Sequence, residues 1–256
     1  VSYEAADDHF DMSEGFSGRL QYLISLQSTV LTPRTGAGSP SSDPQGIEND
    51  GCAGSGCDLA FNSTPLTIPV VANFTLIGTG DVATSGSSGG VGMMLRRGTG
   101  GYYVNGVVAR FPRAGISVRD ADTYVRAGSV ATPDLTTADF AIRNVLVSDV
   151  AGVVFQAAAG STVQNSFDLA GNSITNSTAA AATLFAALHA AGGTPTIAGL
   201  DWSPATGSPI ATGGLAAFTG KLATKAGTCI TGTAYQGAAA PGGTKWWNGW
   251  TVYIRN

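Results

Sequence analysis

The sequence predicts an all-β protein, a right-handed parallel β-helix with one Ala-rich helix and an aromatic C-terminal cap. Three observations carry this prediction. Short strand-like runs recur in pairs through the middle of the chain. An asparagine takes the same slot in successive copies. Charged residues make up only 12% of the chain while glycine supplies 36 of its 256 residues, a composition of turns, hydroxyls and amides.

One of the paired runs opens on glycine and alternates: GIEND at 46–50, GMMLRR at 92–97, GISVRD at 115–120 and GVVFQ at 152–156. The other carries asparagine ahead of a β-rich stretch: ANFTLIG at 72–78, VNGVVARF at 104–111 and RNVLVSD at 143–149. Each run is too short to fold alone. Stacked at about 4.8 Å, successive coils pair their backbones and bury alternate side chains. Asn73, Asn105 and Asn144 then share a position, which points to a ladder in which each amide bonds the one above. The opposing reading is three separate turn residues.

The first segment fits the same scheme, with 1–10 and 18–30 as two sides of an early coil. Coils are therefore expected over 1–176, with long loops at 32–45 and 79–90 where Gly, Ser and Pro accumulate. The stretch 178–191 is Ala-rich, with Ser177 or Thr178 as N-cap and Gly192 as C-cap, and predicts a helix. Residues 177–256 are expected to form a capping region of the same domain. Trp246, Trp247 and Trp250 close it as aromatic bulk over the last coil, since a solenoid must cover its final row of backbone groups. Sugar stacking is the functional alternative for these tryptophans.

Cys52 and Cys57 lie in a Gly-rich loop that brings two sulfurs together easily, so a disulfide and an oxidising compartment are expected. Cys229 is expected to be a small buried apolar residue. The net charge of −4 argues against a nucleic-acid binder. No run of 18 apolar residues exists to span a membrane.

Several strings read together carry a resemblance: ADDHFDMSEGFSGRLQYLISLQS, GIENDG, PVVANFTLIG, GMMLRRGTGG and the closing WWNGWTVY. The chain resembles the C-terminal part of large secreted or outer-surface bacterial right-handed β-helix proteins of unassigned function. The resemblance implies an extracellular or cell-surface location and a preceding β-helical segment, and it supplies no catalytic residues.

Candidate chemistry is concentrated in charged groups. Asp7, Asp8, Asp11 and Glu14 surround His9 near the start. On a strand, Asp7, His9 and Asp11 would share one face. Asp7, Asp8 and Asp11 are the alternative catalytic set, as paired carboxylates for acid–base work. Asp7, Asp11 and Glu14 are the candidate ligands for Ca²⁺. The opposing reading is that these side chains cap turn amides. A second acidic group, Asp43, Glu48, Asp50 and Asp58, flanks the cysteine loop. Arg96, Arg97, Arg110, Arg113 and Arg119 come from successive coils and would stack as a basic stripe for a glycan or partner, against the alternative of ordinary Arg–Asp pairing.

Two functions follow. One is a structural or surface-assembly protein, a stalk, coat or filament subunit that self-associates through an open first coil. The other is a polysaccharide-binding or polysaccharide-degrading protein acting through the aspartates near the start.

Overall fold

The protein is described from a computed structural model, which covers residues 1–29, 35–52, 54, 57, 60–80, 89–128, 132–150, 153–156 and 167–252. Most of loop 79–90, residues 32–34 of the other loop, Asp58 and Gly152 lie outside the described residues.

The chain winds as a parallel β-helix. β1 (Ser2–Tyr3), β2 (Phe10–Met12) and β3 (Arg19–Leu26) make the first turns. β4 (Ile47–Asp50) and β5 (Val70–Ile77) make the next coil. β6 (Val91–Arg96), β7 (Gly101–Val104) and β8 (Val107–Ala109) follow. β9 (Ala114–Val118), a short helix α1 (Ala121–Val125), β10 (Phe140–Arg143) and β11 (Leu146–Ser148) come after them. β12 (Val153–Phe155) and β13 (Thr175–Ser177) complete the stack. β2, β4, β6, β9 and β12 pair in parallel as a five-stranded sheet. The remaining strands form an eight-stranded sheet, in which β5 pairs with β7 along one half and β8 along the other.

The corner inside the eight-stranded sheet is made by the asparagine slot. Register aligns Tyr22, Asn73, Asn105, Asn144 and Ser173 across the coils, and all five are left-handed, with φ between 51° and 65°. Asparagine tolerates this backbone better than most residues. A single such residue reverses the alternation: Ala72 and Asn73 both face outward, and Phe74 returns to the interior.

The glycine-led runs align as well. Pairing of Ile47 with Met93 and of Met93 with Ile116 puts Gly46, Gly92 and Gly115 in one column. A β-carbon on Gly92 would lie 2.2 Å from Val108 Cγ1 and 2.5 Å from the Gly115 carbonyl oxygen, so only glycine lets the coils close here. In β12 the register slips by two residues, and Val154 takes the place beside Gly115.

The interior is a continuous apolar stack that includes Ile47, Phe74, Met93, Val108, Ile116 and Val147. Its far end is sealed by Phe167, whose ring packs 5.6 Å from Phe140, 5.4 Å from Tyr124 and 5.7 Å from Phe155. The tryptophans do not close this end as expected. Trp202 and Trp247 are buried against Ile24, Leu26, Ile77 and Val107 on the outer face of the eight-stranded sheet, and Trp202 Nε1 donates to the Tyr3 hydroxyl at 3.1 Å. The outward rows of β3, β5, β8 and β11 are apolar and demand cover, which 177–252 supplies by running along the flank. A second patch, with Val70, Tyr102 and Val104, is covered by Leu222 and Ala226 of α2 (Gly220–Ala226) and by Ile230.

No helix forms at 178–191. The segment makes a 3₁₀ turn at Ala181–Thr183 and then β14 (Phe185–Ala187), antiparallel to β15 (Asp201–Pro204). An isolated helix of this length is marginal even when Ala-rich. Tertiary contacts win here. Ala181 N–H donates to Asp149 at 3.1 Å, Arg110 donates to the His189 carbonyl at 2.7 Å, and Ala181, Leu184 and Phe185 are buried. Cys229 is exposed, a correction to the buried position expected. The chain turns outward after Gly227 ends α2, and Ile230 takes the buried place.

The asparagines stack, but their amides do not form the expected ladder. They reach outward to the covering segment. Asn73 Nδ2 donates to Thr233 Oγ1 at 2.8 Å, Asn105 accepts from Leu215 N–H at 2.6 Å, and Asn144 Nδ2 donates to the Gly213 carbonyl at 2.8 Å.

Candidate functional site on the five-stranded sheet

The outer face of the five-stranded sheet gathers charged side chains, with Asp11 exposed, Arg96, Arg97 and Arg119 partly exposed, and Glu48 and Asp50 nearly buried. Its inward positions, Ile47, Met93, Leu95, Ile116 and Val118, belong to the core, and inward Asn49 donates to the Tyr103 hydroxyl. The alternate positions point out. Register places Asp11, Glu48, Met94 and Ser117 in one outward row. Asp50 and Arg96 stand opposite each other in the next, followed on the neighbouring coil by Arg119, whose N–H donates to the Leu95 carbonyl at 2.9 Å.

Arg96 binds two carboxylates at once, donating to Glu48 at 2.5 Å and to Asp50 at 2.7 Å. Arg97 adds a contact to Asp50 at 2.8 Å. Arg119 makes no side-chain hydrogen bond or ion pair among the described residues. Burial and the nearby Arg96 both depress its proton affinity, partly offset by Glu48 and Asp43. The expected basic stripe is thus reduced to Arg96, Arg97 and Arg119. Arg110 is 2% exposed and is held 3.5 Å from Asp149, in the turn that follows β8. Arg113 is occupied elsewhere.

The acids on this face titrate abnormally. Burial pushes Glu48 up to about 7, with Asp50 and Asp11 adding to the shift and Arg96 opposing it. Burial, the Glu48 charge and the adjacent Asp7 and Asp11 push Asp8 up to about 8, although Asp8 also accepts from Gln45 N–H at 2.5 Å. Asp11 is exposed and is raised as well, through burial and the charges of Asp50 and Asp7. Perturbed carboxyls mark a candidate functional site, and ion-pair networks such as that of Arg96 with Glu48 and Asp50 perturb them too.

The structure divides the first acidic group. The strand here is only Phe10–Met12, so alternation does not extend back to Asp7, and Asp7, His9 and Asp11 do not line one face of it. His9 turns into the protein, with Nδ1 2.8 Å from Ser2 Oγ. Burial holds it down at about 4, and it is neutral at pH 7. Glu14 receives the Gly54 N–H at 2.9 Å and the Ser13 hydroxyl. Among the described residues no three His, Cys, Asp or Glu side chains are grouped as ligands of a metal ion, so Asp7, Asp11 and Glu14 are not brought together as one. The residue that sequence reasoning undervalued is Glu48, placed with a solvated loop. Its signal was present: HFD at 9–11 and GIE at 46–48 occupy the same slots of successive coils.

Cys52 and Cys57 are joined by a disulfide beside this face, which fits an oxidising, extracellular setting. Among the tryptophans, Trp247 is 2% exposed, whereas Trp250 is 62% exposed and stacks on half-buried Trp246 at 6.0 Å. Among the described residues no helix is long and apolar enough to cross a membrane.

A family model described as a pectate-lyase like beta helix domain matches residues 1–191. No curated protein and no solved structure matches the chain.

Proposed function

The chain belongs to the pectate-lyase-like β-helix domain family, and on that premise we propose that the outer face of its five-stranded sheet binds and cleaves a polysaccharide. The observation that supports this reading is the pair Asp11 and Glu48, directly opposite on adjacent strands, with Asp11 exposed and Glu48 nearly buried at 8%. Glu48, near half-protonation at neutral pH, is suited to give a proton to a glycosidic oxygen. Asp11, the more exposed partner, lies one strand spacing (about 4.8 Å) away, which suits the short separation of a retaining pair. Its carboxylate adds to the anomeric carbon as the sugar–oxygen bond breaks, and Glu48, then deprotonated, takes the proton of the water that displaces Asp11. Arg119 supplies free N–H donors to sugar oxygens, and Arg96 holds Glu48 and Asp50 in place. Trp250 offers an aromatic platform for a sugar ring elsewhere on the surface.

The test is release of new chain ends from acidic and neutral polysaccharides, each with added Ca²⁺ or with chelator. Turnover of one polymer class that falls at least a hundredfold in Glu48→Gln and in Asp11→Asn supports the reading. Turnover that survives both substitutions contradicts it.

A second reading, surface assembly, is favoured by one observation. Among the described residues β1 pairs only with β3 and β2 only with β4, leaving an open strand edge that a coil of a second copy or of a preceding segment would pair with. Sedimentation that stays monomeric at millimolar concentration would remove its basis.

A further inference from the structure

A cavity of about 390 Å³ lies between the last coils of the eight-stranded sheet and the covering segment. The segment that buries Asn73 and Asn105 makes its contact with Asn144 through Gly213, and beyond this contact the corner column opens into the space. The volume is in the lower part of the range for small-ligand sites, roughly 300–1,000 Å³.

Its lining is specific in chemistry. Gln236 is 3% exposed and is anchored through its backbone N–H to the Ile210 carbonyl at 2.9 Å. Its side-chain amide lines the cavity and makes no hydrogen bond among the described residues. Ser173 and Thr175, both exposed, line it as well, and neither hydroxyl has a hydrogen-bond partner among those residues. Leu169, Ile174 and Pro209 supply apolar wall. Among the described residues no ionisable side chain lines the space. Asp168 accepts from Ala170 N–H at 3.1 Å, and Arg143 donates to the Gly171 carbonyl at 2.7 Å. The Gln236 amide atoms are not among the buried side-chain atoms without a partner, so they keep solvent contact and a ligand can take their donors and acceptor without breaking a hydrogen bond of the protein.

We propose that this cavity binds a neutral saccharide unit. Unpaired amide and hydroxyl groups match the donors and acceptors around a sugar ring, and the apolar wall matches its C–H face. The absence of charge in the lining disfavours uronic acids. The proposal rests on the glycan reading for the class of ligand but uses a different sheet and different residues.

The experiment is amide-shift mapping of the full chain with cellotetraose, xylotetraose and galactotetraose. Tetragalacturonate and an uncharged Gly/Ser/Asn peptide serve as comparisons. The expected result is saturable movement of the Ser173, Gly213, Gly214 and Gln236 signals with at least one neutral tetrasaccharide. Gln236→Leu, which keeps the shape, and Thr175→Arg, at an exposed position, should each weaken it at least tenfold. Glu48→Gln should leave it unchanged. Three results would overturn the proposal: no neutral sugar moves these signals, only the peptide does, or the movement is lost in Glu48→Gln. Sugar binding here without any polysaccharide turnover would retain this site and reject the catalytic face. Turnover without binding here would do the reverse.

Discussion

Asp11 and Glu48 occupy directly paired positions on β2 and β4, thirty-seven residues apart in the chain and one strand spacing apart in the fold. Burial is the main cause that raises the proton affinity of Glu48, and the charges of Asp50 and Asp11 add to it.

This arrangement makes stability depend on pH. Asp8, at about 8, and Glu48, at about 7, bind protons more tightly folded than unfolded. Their contribution is therefore present at low pH and is lost as pH rises through the folded values. His9 works in the opposite sense, but only below its unfolded value near 6.5. Between pH 6.5 and 8.5 the melting temperature should fall for the wild type. The fall should be clearly smaller in Asp8→Asn/Glu48→Gln, as read by calorimetry.

The covering segment is held by the asparagine column. Asn105→Ala removes the acceptor of Leu215 N–H and forces alanine into a left-handed backbone. The loss should be about 2–4 kcal/mol in urea unfolding. Asn105→Gly should recover the backbone part only, leaving a deficit of about 1–3 kcal/mol.

Two tryptophans close in sequence should behave differently. Trp247→Ala empties a buried site and should cost about 3–5 kcal/mol, with faster proteolysis of the covering segment. Trp250→Ala, at a 62% exposed position, should change stability by less than about 0.5 kcal/mol.

Close approach of the coils is tested at Gly92. A methyl group there meets a neighbouring backbone carbonyl that has no room to yield. Gly92→Ala should destabilise by about 1–3 kcal/mol or prevent folding. Gly36→Ala, with nothing within 4 Å, carries only the penalty of its left-handed backbone and should fold normally.

The coils were legible because parallel stacking repeats a local pattern. Glycine, then alternation, then asparagine before a β-rich run each reflect a local backbone requirement. The destination of the asparagine amides was not legible, because their partners at 213–237 lie in a segment with no repeat of its own. The Ala-rich stretch misled for a similar reason: its propensity is local, while Asp149, Arg110 and the apolar flank that hold it extended are distant in sequence. The site was split in the same way. Asp11 and Glu48 read as members of two acidic groups until the register of β2 on β4 joined them.

The most direct test is titration of the Glu48 side-chain carboxyl by ¹³C NMR, with the resonance assigned through Glu48→Gln. The account predicts a midpoint near 7 that drops when Asp11 is replaced by asparagine. A midpoint below 5, unmoved by Asp11→Asn, would contradict the claim that this face holds a proton ready for transfer.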